Sequence, residues 1–200
     1  MAKIALVGTD GTGKSRLAKE ISLRYNVPII PEFAREIAEE LGIKDLRKIP
    51  VDKTCIFQNM ILERKMNEEA KHTSFIADRS TCDNMAYYLR WCSNEMHDSY
   101  SSTYINICKN NLKIYDKIIV LPWGAIPHEA DGFRTSKLYY SYEIHCLIIG
   151  ILQDLKVPYT ILEETDINER VKYFSRFFEQ PVGKNFELQT KRESQPTGVL

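Results

Sequence analysis

The stretch that most constrains this chain is Gly8-Thr9-Asp10-Gly11-Thr12-Gly13-Lys14-Ser15. It fits the pattern G-x-x-x-x-G-K-[ST]. Before it stands Lys3-Ile4-Ala5-Leu6-Val7, a short run apolar on both faces, which predicts a buried strand. After it, Leu17, Ile21 and Tyr25 recur at helical spacing, so a helix opens at Lys14. Strand, glycine loop and helix in that order turn the pattern into a phosphate-binding loop. Glycine lets the backbone bend until successive N–H groups converge on a phosphate. The helix N-terminus adds partial positive charge. On this reading Gly8, Asp10, Gly11, Thr12, Gly13, Lys14, Ser15 and Arg16 hold ATP. Lys14 reaches the terminal phosphates and the Ser15 hydroxyl ligates Mg²⁺.

A chain of 200 residues fits one domain with a good core. Lysine plus arginine and aspartate plus glutamate balance at 27 each, which argues against a large nucleic-acid footprint. The sequence shows no signal peptide and no apolar run long enough to span a bilayer. Cys55, Cys82, Cys92, Cys108 and Cys146 are odd in number and none is spaced C-x-x-C. Free thiols in a reducing compartment follow, and a cytoplasmic location is expected. His72, His97, His128 and His145 form no ligand motif, nor do Asp83 or Asp131 with His128 and Glu129 make a metal site.

Strands are expected at Val27–Ile30, Thr73–Ala77, Lys117–Leu121 and Val157–Leu162. Helices are expected over Phe33–Leu41, over Val51–Ala70, after Asp78-Arg79-Ser80, over Ser99–Lys113, over Leu138–Leu155, and from Asp166 or Asn168 to Phe178. The Val51–Ala70 pattern sets Ile56, Met60, Ile61 and Met66 inward and Lys53, Glu63, Glu68 and Glu69 outward. Leu138–Leu155 is apolar nearly all round, so a buried helix is expected. Residues 124–136, with two glycines and a proline, read as a lid; residues 181–200 read as a polar tail after a single domain over 1–180. Strands alternating with helices predict an α/β fold, its sheet mostly parallel and covered on both faces. Sites in such sheets lie at the carboxyl ends of the strands. Glu32, Asp78-Arg79 and Trp123 follow strands there, beside the phosphate loop.

No N-K-x-D guanine reader is present, and a regulatory ATPase of the AAA+ type calls for a longer chain. Small kinases of nucleosides and nucleotides have this length and an arginine-bearing lid. Pro31-Glu32-Phe33-Ala34-Arg35-Glu36 and Asp131-Gly132-Phe133-Arg134 resemble segments of the ribosylnicotinamide kinase domain of bacterial NAD-biosynthesis regulators. Asp78-Arg79-Ser80 looks more like the D-R-[YHST] of thymidylate kinases and the E-R-S of deoxynucleoside kinases. Phe57-Gln58 is similar to the F-Q segment of the latter, whose glutamine pairs with the base. The resemblance runs from Lys3 to about Leu162. It implies the P-loop NTPase fold, a five-stranded parallel sheet ordered 2-3-1-4-5, and ATP and Mg²⁺ as cofactors. It implies a small-molecule nucleoside or nucleotide acceptor and allows a homodimer; the lack of a long apolar run gives no role to a membrane, and the charge balance argues against nucleic acid.

Phosphoryl transfer is mostly positioning and charge neutralisation. Lys14, Glu32, Asp78 and Arg134 are the catalytic candidates. Glu32 stands where an acceptor hydroxyl would arrive, or simply favours a helix N-terminus. Asp78, with Ser15, would hold the metal, or cap the following helix. Arg79, Arg35, Gln58 and Glu32 are candidates for the acceptor, against surface pairing or a solvated face. Arg134 on the lid would meet transition-state charge. Trp123 and Phe133 are open between base stacking and packing. The expected reaction is ATP-dependent phosphorylation of a (deoxy)nucleoside or its monophosphate. Nicotinamide riboside is the alternative acceptor, and a regulatory or nucleic-acid-associated ATPase the alternative of another class.

Overall fold

The computed structural model describes residues 2–43, 45, 49–126 and 138–178. Its centre is β1 (Lys3–Val7), which pairs in parallel with β3 (Phe75–Asp78) on one side and β4 (Lys117–Val120) on the other. β2 (Ile29–Ile30) pairs with β3, and β5 (Thr160–Ile161) with β4. The order is therefore β2-β3-β1-β4-β5, all parallel, as the resemblance implied. The outer strands are shorter than the apolar runs suggested. Val27-Pro28 and Val157-Pro158 fall outside the strands; the Pro28 carbonyl still accepts from the Ile76 N–H (2.9 Å), but a proline has no N–H to donate to a ladder.

Each central strand is apolar on both faces because each face carries helices. Ala5, Val7, Phe75, Ala77, Ile118 and Val120 pack into one cluster, with α2 (Ala34–Glu40), α3 (Val51–Glu69), α4 (Thr81–Trp91), α5 (Asp98–Asn111) and α6 (Leu138–Asp154). Ile4, Leu6, Ile76, Ile119 and Leu121 pack the other way, with α1 (Lys14–Tyr25) and α7 (Ile167–Tyr173), followed by the short α8 (Ser175–Phe178).

Two helices depart from their expected faces. α6 buries Ser141, Ile144, Ile148, Ile151 and Leu152 but exposes Tyr139, Tyr142 and Cys146, so it covers the sheet on one side only. Its apolar surround does not mean burial all round. In α3, Ile56 is 55% exposed, whereas Glu69 is 1% exposed. Glu69 goes inside because Lys65, one turn earlier, lies 3.3 Å away and Tyr115 and Asn111 donate to its two oxygens. A buried carboxylate is tolerated when its lone pairs are filled. The expected helix from Asp166 breaks at Phe174 into α7 and α8. Most of the expected lid, Arg134 included, and the tail over 181–200 lie outside the described residues. Among the described residues no helix is long and apolar enough to cross a membrane.

Candidate functional site

The phosphate loop leaves β1 at Gly8, whose φ of 146° lies in a region side chains avoid. A Cβ there would stand 2.6 Å from the Leu121 carbonyl oxygen, so this turn takes only glycine. The loop ends at Gly13, in the left-handed conformation, which caps α1 without a side-chain bond. Lys14 is buried, and its ammonium donates to the Thr9 carbonyl (2.6 Å) and to Thr12 Oγ1 (3.2 Å). Burial first, and then the Arg79 charge, bring its pKa down to about 8; Asp78, Asp83 and Asp10 work the other way. Ser15 and Arg16 are exposed at the start of α1, while Thr12 is buried.

Beside the loop sits Arg79, just past the end of β3, with a φ of 74°. A non-glycine residue in that conformation is strained and persists only when its surroundings hold it. Here they do. Nη2 donates to Asp10 (2.5 Å), Nε to Glu32 (2.8 Å), and Nη1 to the Gly8 carbonyl (3.0 Å), with Asp83 at 3.5 Å. The guanidinium also lies 5.1 Å from the Tyr87 ring centroid, on the next helix. Burial opposes the Arg79 charge, but Glu32, Asp10 and Asp83 outweigh it and raise its pKa.

Asp83 organises this corner. It is 1% exposed, accepts from the Gly8 N–H (3.1 Å), and closes a capping box by accepting from the Ser80 N–H (2.7 Å). The sequence carried that signal, since serine followed three residues later by an acid is a capping pattern. Asp78 is also buried, and its Oδ1 has no hydrogen-bond partner among the described residues.

A cavity of about 580 Å³ opens from this cluster. Asp10, Glu32, Asp78 and Arg79 line it at one side, and Phe33, Phe57, Gln58, Tyr87 and Trp91 line much of the rest. Four of the sequence candidates thus come together with Gln58 around one space. Asp10, read from the sequence as a nucleotide contact, faces this cavity. Arg35 is exposed on α2 and does not line it. Trp123 packs on Tyr142, their ring centroids 4.9 Å apart, and does not line it either. Phe133 lies outside the described residues.

One residue had no signal in the sequence. Arg170, on α7, is buried and donates from Nη1 to the Thr12 carbonyl (3.1 Å) and from Nε to the Glu164 carbonyl. It braces the phosphate loop from the face opposite α4, and burial pulls its pKa down despite Glu164. Only the chain path around the sheet brings it there.

A parallel sheet with a glycine loop between its central strand and α1 defines the P-loop nucleotide-binding class. Within that class the chain belongs to the AAA domain family, whose model matches residues 3–170. Solved structures share the fold over most of the chain. NadR in complex with NR aligns with a TM-score of 0.65 at 17% identity, over 92% of this chain and 52% of its own. This chain therefore spans about half the length of NadR. Deoxyadenosine kinase from M. mycoides with bound dATP gives a TM-score of 0.62 at 18% identity, over 88% of this chain and 98% of its own. Thymidylate kinase from Candida albicans gives 0.61 at 16%, over 88% and 89%. These are the three groups that the sequence segments resemble. No curated protein matches the chain.

Proposed function

We propose that the protein is an ATP-dependent kinase that phosphorylates the hydroxyl of a nucleoside. The observation that carries this reading is the cavity beside the phosphate loop, which shares Asp10 and Arg79 with the loop's own surroundings. In the proposed reaction an acceptor hydroxyl oxygen bonds to the γ-phosphorus as the bond to the β–γ bridging oxygen breaks. ADP leaves, and the hydroxyl proton passes to Glu32 or Asp78. Backbone N–H groups of the loop from Gly11 to Lys14 would cradle the phosphates, the Gly8 N–H being held by Asp83, and Lys14 would neutralise their charge. Mg²⁺ would supply charge neutralisation, and Asp78, whose buried Oδ1 has no hydrogen-bond partner among the described residues, together with the exposed Ser15 hydroxyl fits its oxygen-rich, partly hydrated coordination. Arg79 would orient the acceptor, Gln58 would meet its base, and Arg134 would come from the lid.

Charge supports a nucleoside over a monophosphate. Five carboxylates line the cavity (Asp10, Glu32, Asp78, Asp83, Glu143) against three cations (Lys65, Arg79, Arg90). Each of those cations is balanced by a carboxylate: Lys65 by Glu69, Arg79 by Asp10 and Glu32, and Arg90 by Glu143. A phosphate dianion would add charge of the same sign to this excess of carboxylates, whereas a neutral or cationic acceptor would not.

The test is ADP production with ATP·Mg²⁺ across nucleosides, their monophosphates and nicotinamide riboside, with Lys14→Ala as the blank. Phosphorylation of nucleosides and not monophosphates is expected. ADP release that no acceptor accelerates would favour the second reading, a regulatory ATPase, which the AAA domain match supports.

A further inference from the structure

One wall of the same cavity carries a charged pair to which the proposed reaction gives no role. α3 lines the cavity with Thr54, Gln58, Ile61 and Lys65. The spacing i, i+4, i+7, i+11 puts them on one helix face. Lys65 is 2% exposed, and its ammonium makes no hydrogen bond among the described residues, although Glu69 Oε1 lies 3.3 Å away. Glu69 is already engaged: Tyr115 donates to Oε1 at 2.5 Å and Asn111 to Oε2 at 2.8 Å. So Glu69 is fixed, and it balances the lysine charge without satisfying its donors. A buried ammonium with unmet N–H groups is costly unless a ligand supplies acceptors.

We propose that Lys65 and Gln58 together read the base of the acceptor and select bases that carry a carbonyl. This rests on the nucleoside kinase reading above. Their Cα positions stand about 10 Å apart along the helix, a separation that a planar base held between two long side chains spans. The chemistry sets the preference. A glutamine amide offers one acceptor and one donor group; an ammonium offers donors only. The matching edge has one N–H and two acceptor positions, or one N–H and a carbonyl that accepts twice. Uracil, hypoxanthine and cytosine present such edges, and so does the carboxamide of nicotinamide riboside. Adenine presents one N–H and one ring nitrogen on its pairing edge, which glutamine alone satisfies. Its adjacent C2–H leaves the ammonium unmet.

The experiment measures kcat/KM for inosine, purine riboside, adenosine, uridine and nicotinamide riboside in the presence of ATP·Mg²⁺. Inosine and purine riboside differ at the 6-oxo group and the neighbouring ring N–H. The wild type should use inosine over purine riboside by about 10- to 100-fold, the value of a charge-assisted hydrogen bond. The double variant Lys65→Met/Glu69→Gln removes both charges together, so no lone buried charge remains, and the ratio should collapse towards one. Lys65→Arg should keep a preference for inosine. Uridine and nicotinamide riboside separate a ring carbonyl from an exocyclic carboxamide. A wild type that turns over adenosine or purine riboside as well as inosine overturns the Lys65 assignment and leaves the kinase reading standing. So does a ratio that survives in the double variant. If no nucleoside is phosphorylated at all, both readings fall.

Discussion

Lys14 is an ammonium held close to the pH at which it loses its proton. Its pKa of about 8 comes mainly from burial. A bound triphosphate brings anionic oxygens beside it and raises that value. Nucleotide binding above pH 8 then takes up a proton, so ATP affinity should fall by up to about tenfold per pH unit beyond that point. Calorimetric titration between about pH 7 and pH 9.5 reads this slope; Lys14→Met should flatten it, and a slope equal to that of the wild type would remove the assignment. Lys14→Ala should lower kcat by about 100- to 1,000-fold. Asp83 makes a different prediction, one of stability. Asp83→Ala strips acceptors from the Gly8 and Ser80 N–H groups and a carboxylate from Arg79. Urea unfolding should show a loss of about 3–5 kcal/mol. At this scale the sequence was legible where a residue type has one local use, as with Lys14 in its loop. It was opaque where burial depends on partners far along the chain. Glu69 looked like a solvent-facing acid on a helix until Tyr115, 46 residues away, supplied its hydrogen bond.

The elements around the site depend on close backbone approach and on one brace. Gly8→Ala would drive a methyl group against the Leu121 carbonyl, where β4 ends beside the loop. Backbone has to shift, so the variant should lose about 2–4 kcal/mol and bind nucleotide weakly. Thermal unfolding with and without ATP measures both effects. Arg170 couples α7 to the loop through the Thr12 carbonyl. Arg170→Leu should weaken ATP binding by about tenfold, in keeping with one charge-assisted bond, and a calorimetric Kd equal to that of the wild type would remove the brace. The strands and their flanking helices could be read because apolar runs and helical spacing are local. Helix faces were harder, since α6 has apolar residues all round and only its packing on α4 shows which side is covered.

Across the whole molecule, the parallel sheet followed from the alternation of elements, its strand order from the family resemblance, and the place of the phosphate loop at the strand ends from the glycine pattern. The cavity did not, because its walls come from α2, α3, α4 and α6, whose mutual arrangement no local pattern states. The thiols report on that packing as a unit. Cys55, Cys82, Cys92 and Cys108 are buried and Cys146 is exposed. A thiol reagent should therefore label Cys146 fast and the other four only on unfolding, and a stoichiometry of labelling against time checks it. The Arg170 bond to Thr12 joins residues 158 positions apart. A ribosome therefore builds the phosphate loop 158 residues before its brace. Throughout that interval the nascent chain carries the loop without the contact that braces it, and the site reaches full nucleotide affinity only once α7 has emerged and docked.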